Sequence, residues 1–122
     1  MTNDDAVQAL KASLATDSDT PNTGRSDRAT YLREERSALL TYAIKPVFVV
    51  AHAGDWAQRH CGLSAEPYHM VAVAYCSDGV GRCLLHNPKT GMFSLAYGHL
   101  DDPEGLDLVG YSSIDALAQW LG

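Results

Sequence analysis

The sequence predicts an α+β fold, and three observations carry that expectation. Segments of helical period flank the chain's middle. Four short apolar runs rich in Val, Leu and aromatic residues (PVFVVA, HMVAVAYC, RCLLH and MFSLAY) read as strands. Turn signals, Asp78-Gly79 and Asn87-Pro88, separate the last three runs, which makes them an antiparallel meander. The expected order is N-terminal helix, buried strand, short helix, three-stranded antiparallel meander, C-terminal helix. A chain of 122 residues makes one such domain.

From the N-terminus, residues 4–14 support one or two marginal helix turns, with Val7, Leu10 and Leu14 on one side. The next stretch, ATDSDTPNTGRSDRAT, is almost without apolar groups and reads as linker. The expectation is a flexible segment over residues 1–25 and a single packed domain over 26–122. Ser26 or Asp27 caps a helix running to about Tyr42, with Leu32, Leu39, Leu40 and Ala43 on one face. Pro46 cannot continue it, and PVFVVA follows as a strand buried on both faces. Asp55 and Gln58 fit a capping box, with Gly62 past the end of a short helix from Trp56 to Cys61.

HMVAVAYC places Val71, Val73 and Tyr75 on one face and Met70, Ala72 and Ala74 on the other. The turn SDGVG leads to RCLLH, and NPKTG leads to MFSLAY. LDLVGY, 106–111, adds a short edge strand. Ser112 and Asp115 form a second capping box, opening a closing helix with Ile114, Leu117, Ala118 and Leu121 at helical spacing.

The formal net charge is −6 and is unevenly spread. From Thr90 onward there are five acids and no Lys or Arg, so that third carries most of it. Four of the acids, Asp101, Asp102, Glu104 and Asp107, crowd the connection GHLDDPEGLD. Such charge disfavours nucleic acid and favours a basic protein partner. Tyr97, His99 and Tyr111 flank the acids, and aromatic groups beside charge suit a protein interface. The expected partner-binding set is therefore Tyr97, His99, Asp101, Asp102, Glu104, Asp107 and Tyr111. His99 among carboxylates is expected to hold its proton more tightly. No apolar run reaches membrane-span length, and no basic, apolar leader opens the chain, so a soluble cytoplasmic protein is expected.

Cys61, Cys76 and Cys83 are odd in number, which predicts reduced thiols rather than a disulfide framework. Cys76, Cys83 and His86 follow a C-x6-C-x2-H spacing, unlike the paired knuckles of structural zinc. Hairpin register decides whether the thiols meet. A four-residue loop puts Cys76 opposite Cys83, and a two-residue loop puts Cys83 opposite Ala74. No metal and no cofactor are expected.

YHMVAVAYCSDGVGRCLLHNPKTG resembles the second half of papain-like cysteine peptidases, in which a His opens a strand and an Asn or Asp orients it. The resemblance implies His69 as base and Asn87 as orienting residue. The only preceding thiol is Cys61, near a helix end without the dipole that activates a nucleophile. No catalytic set can be assembled, and a remodelled relic is what that resemblance implies. SDGVG, NPKTG, MFSLAY, HLDDPEGLD and SSIDALAQWL together resemble the SUKH superfamily, over about residues 69–121. That resemblance implies a non-enzymatic immunity protein that masks a basic bacterial toxin, with the acidic connection as its contact surface.

Overall fold

Residues 3–16 and 28–121 are described in the structure, a computed structural model. The fold is α+β. The four apolar runs and the segment after the acidic connection form β1 (Ala43–Ala53), β2 (Tyr68–Cys76), β3 (Arg82–His86), β4 (Phe93–Tyr97) and β5 (Leu106–Ser113). Each strand pairs antiparallel with the next in sequence. β5 then pairs in parallel with β1, Ala51 beside Leu106 and Ala53 beside Leu108, and the sheet closes into a barrel. The parallel contact follows from parity, because the first and fifth strands of a meander run the same way. The expected edge strand at 106–111 is corrected: β5 is paired on both sides, and closure leaves no edge.

Bulges let so small a barrel close. One lies in β1 between Ala43 and Val47, where Pro46 has no N–H to give to the ladder. Another makes Val73 the extra residue between Ala72 and Ala74. It shifts the expected alternation of β2. Val71, Val73 and Ala74 pack on the outer side, while Ala72 and Tyr75 belong to the inner cluster.

The hairpin register is neither of the two expected. Cys76 pairs with Arg82 and Tyr75 with Cys83, so five residues, 77–81, make the connection. Cys83 joins the inner cluster and Cys76 the outer one, so the two thiols do not face each other.

The barrel wall separates two cores. Inside are Ala51, Met70, Ala72, Cys83, Leu85, Ala96, Leu106 and Leu108. A five-stranded barrel is narrow, and its alanines leave room for the larger side chains. Outside, the helices α1 (Asn3–Ala15), α2 (Arg28–Thr41) and α4 (Ala116–Leu121) pack on Val71, Val73, Leu84, Phe93 and Leu95. α3 (Asp55–Cys61) lies against β5. Trp120 of α4 is buried, with Tyr42 stacked at 5.7 Å and the Arg82 guanidinium 4.2 Å above its ring.

Several boundaries differ from expectation for local reasons. α3 starts at Asp55, behind Gly54, with no side-chain cap; the Gln58 side chain instead donates to the Ala53 carbonyl at 2.8 Å. Gly62 does end it, in the left-handed region at φ 69°. α4 starts two residues late. Its cap is Asp115, whose Oδ1 accepts from the Ala118 amide at 3.1 Å, and Ile114 is 72% exposed rather than core. On α2, Leu32 and Leu39 are buried, but Leu40 and Ala43 are exposed. Its expected caps, Ser26 and Asp27, lie outside the described residues.

The N-terminal segment contributes to the outer core. Residues 3–15 are a helix of the domain, with Ala6 and Leu10 buried in the outer core. Ser13 fastens it. Its hydroxyl donates to the Ile114 carbonyl at 2.7 Å and accepts from the Ala116 amide at 2.8 Å, satisfying an orphan donor of α4. Arg36 of α2 reaches back to the Thr16 carbonyl at 2.8 Å. The rest of the expected flexible segment, residues 1–2 and 17–25, lies outside the described residues.

Leu10→Ala is therefore expected to cost about 2–4 kcal/mol in urea unfolding, the range for a buried leucine. Deleting residues 1–16 should lower the midpoint further; an unchanged midpoint would show that α1 adds nothing.

His86 sets a pH limit. It is 5% exposed, its ring tilted against Phe93 at 5.2 Å, and its Nδ1 has no hydrogen-bond partner among the described residues. Burial lowers its pKa, against the opposing pull of the Asp5 carboxylate. Folding thus holds His86 neutral, and the unfolded chain binds the extra proton. Stability is full above the ordinary histidine range and falls as pH drops through about 6.5. Melting temperatures between about pH 7 and pH 5 should decline, and His86→Leu should flatten that slope.

Candidate functional site

The two ends of the barrel are chemically different. One end carries the acidic connection, residues 98–105, between β4 and β5. It is pinned rather than loose. The Gly98 amide donates to the Gly81 carbonyl at 3.1 Å. His99 bridges to the β2–β3 hairpin: its Nε2–H donates to the Gly79 carbonyl at 3.2 Å, leaving Nδ1 to accept the Tyr75 hydroxyl at 2.7 Å. Burial, with the Cys83 thiol and Asp101 carboxylate nearby, raises the Tyr75 pKa and keeps that hydroxyl a donor. Cys83 adds a long contact, Sγ to the Gly98 carbonyl at 3.7 Å. Within the connection, Asp102 Oδ1 accepts from the Glu104 amide at 2.9 Å, an Asx turn.

This pinning leaves the charge outside. Asp101, Asp102, Glu104 and Asp107 are all exposed, and none forms an ion pair with a described residue. Tyr97 is also exposed and sits opposite Asp107 in the β4–β5 register. Beside the connection lies a groove of about 190 Å³, lined by Phe48, Val50, His99, Leu100, Asp102 and Pro103 among others. Phe48 is 66% exposed. The sequence predicted β1 to be buried on both faces. Its inner face is, with Val49 and Ala51 in the barrel core, but Phe48 and Val50 point outward beside the acids.

The sequence-derived set is therefore brought together in part. Tyr97, Asp101, Asp102, Glu104 and Asp107 share one surface. His99 is there too, but as the clamp that fixes the connection. Tyr111 is not there. It lies four residues beyond Asp107 on β5, about 13 Å along a strand, stacked edge-on to Trp56 of α3 at 5.8 Å.

At that opposite end, His69 and Asn87 line one pocket with Ser64, Glu66, Tyr68 and Lys89. Asn87 Oδ1 accepts from the Lys89 amide at 2.9 Å, closing the β3–β4 turn rather than orienting an imidazole. No cysteine lines this pocket. Cys61 instead packs where α3 meets Gly110 of β5. The Cys83 thiol is inside the barrel, and burial pushes its pKa up to about 12, so it stays protonated and unreactive.

No family model, no curated protein and no solved structure matches this chain. Among the described residues no helix is long and apolar enough to cross a membrane, and no group of three or more His, Cys, Asp or Glu is placed to hold a metal ion.

Two features escaped the sequence reading. Phe48 looked like any core residue of PVFVVA, because sequence does not show which strand face lacks a covering helix. A second pocket, bounded by Tyr68, Ser94 and Tyr111 among others, draws on five separate strand, turn and loop segments. Its signal was a single polar residue, Ser94, inside the apolar run MFSLAY.

Gly81 tests the pinning. Its φ is 85°, and an added Cβ would overlap the Gly98 carbonyl oxygen. Gly79, at φ 62°, has open space around it. Gly79→Ala is expected to cost about 1–2 kcal/mol, the left-handed penalty alone. Gly81→Ala should cost clearly more and speed amide exchange across residues 98–105. Equal costs would mean that the close approach does not hold the connection.

Proposed function

We propose that this is a non-enzymatic binding protein that masks a basic surface on a protein partner with the acidic end of its barrel. The observation that carries the reading is a set of four exposed carboxylates, without ion pairs among the described residues, three on a connection fixed in place by His99, Tyr75 and the Gly81–Gly98 contact and the fourth, Asp107, on the adjoining strand. A fixed acidic surface loses little entropy when a partner docks. It also raises the association rate through steering.

Phe48 and Val50 supply what charge does not. They form an exposed apolar patch beside the acids, so the surface has an apolar element flanked by carboxylates. Apolar burial slows dissociation, while peripheral charge governs encounter. A nuclease is one kind of partner with the right surface, since its phosphate-binding face is basic. The SUKH-like motifs support the finer reading of an immunity protein against a bacterial toxin. The papain-like alternative is weaker, since the pocket of His69 and Asn87 has no thiol to serve as nucleophile.

The test combines affinity capture of the partner with binding kinetics on two variants. Asp101→Asn/Asp102→Asn/Glu104→Gln keeps the Asx acceptor at position 102 while removing charge, so folding should be unchanged. Its association rate should fall about tenfold at low salt, and the salt dependence should flatten. Phe48→Ala should act mainly on dissociation. A partner that binds the triple variant with wild-type kinetics would remove the acidic surface from the function.

A further inference from the structure

The other end of the barrel holds a pocket of about 140 Å³. Leu63, Tyr68, Met70, Leu108 and Tyr111 supply its apolar and aromatic walls. Ser94 also lines it. Phe93 and Leu95 join the outer core, so Ser94 between them turns inward. It is 7% exposed, yet its hydroxyl has no hydrogen-bond partner among the described residues. This hydroxyl opens into the pocket, where a bound molecule can pair with it.

The polar groups at the rim narrow the ligand chemistry. Asn87 Oδ1 and Thr90 Oγ1 already accept from the Lys89 and Met92 amides, at 2.9 and 3.2 Å. Tyr68 Oη accepts from the Ser64 amide at 2.9 Å. Each of these oxygens keeps a second lone pair, and the Ser112 hydroxyl donates to Met92 Sδ at 3.6 Å; the hydrogens not yet engaged among the described residues, those of the Asn87 amide and of the Thr90, Tyr68 and Ser94 hydroxyls, suit an acceptor on a ligand. Among the described residues no Asp, Glu, Lys or Arg lines the pocket. A cavity of about 150 Å³ accepts a benzene-sized ring.

We propose that this pocket binds a small neutral six-membered ring carrying a carbonyl oxygen, the carbonyl accepting from the Ser94 hydroxyl and the ring lying between Tyr68, Met70 and Tyr111. The site is separate from the acidic connection, none of whose residues 98–105 lines it.

Two probes of equal size separate the polar contact from simple cavity filling: 2-pyridone, which has the ring carbonyl, and toluene, which does not. Each is titrated into the full-length protein and followed by amide chemical shifts. 2-Pyridone should give saturable shifts confined to the segments around residues 63–70, 87–94 and 108–112. Ser94→Ala should weaken 2-pyridone about three- to tenfold, the worth of one hydrogen bond, and leave toluene unchanged or tighter. Tyr111→Ala, at an exposed position, should weaken both probes without unfolding the barrel. The proposal is overturned if 2-pyridone gives no saturable shifts there. It is equally overturned if Ser94→Ala leaves the ratio of the two affinities unchanged, or if Tyr111→Ala binds both probes like the wild type.

Discussion

The parallel pairing of β1 with β5 is the constraint on which the molecule depends. Three register pairs make it: Ala51 with Leu106, His52 with Asp107, and Ala53 with Leu108. Without it the chain would be an open five-stranded meander with two bare edges. With it, Ala51, Leu106 and Leu108 enter a closed interior, and every strand is paired on both sides. The approach is close enough to exclude side chains. A Cβ at Gly105 would come within 2.7 Å of the Val50 carbonyl oxygen, and the φ of 88° there already favours glycine. The residue that ends the acidic connection is thus also the one that lets the barrel close.

Closure divides the hydrophobic residues between two cores that share one wall. The inner one is built from small residues at the tight positions and Met or Leu elsewhere. The outer one needs three helices, drawn from both ends of the sequence, and Ser13 joins the first of them to the last. This explains why a stretch with few apolar groups still packs. Ala6 and Leu10 do not form a core of their own; they complete one whose floor is β2, β3 and β4. The helices do not cover the whole barrel, and the outward face of β1 around Phe48 stays open.

The same geometry sets the two candidate sites apart. The acidic connection hangs at the end where β4 leaves and β5 enters, and the ring pocket opens where α3 and the β3–β4 turn meet the far end of β5. Repulsion among exposed carboxylates is modest in water, about 1 kcal/mol for a pair at 4 Å, and salt reduces it. His99 and Tyr75 hold the connection against it, with the imidazole engaged on both ring nitrogens while still lining the groove beside the acids.

The sequence by itself determined the α+β class, the five strand segments, the glycine end of α3 and the uncompensated charge of residues 101–107. Each of these is local. Period-two apolar runs, a left-handed glycine or a missing Lys is written within a few consecutive residues. It did not determine closure, because a parallel contact between segments more than fifty residues apart leaves no mark in either one's pattern. For the same reason it misjudged β5 as an edge and Phe48 and Leu40 as core. Val73 shows the mechanism on the smallest scale. One bulged residue moves Ala74 outward and Tyr75 inward, and only the tertiary register places the bulge. That inward turn is what brings the Tyr75 hydroxyl to His99 and fixes the acidic connection. The charge was legible in the sequence, and its fixed presentation depended on strand pairing across the whole chain.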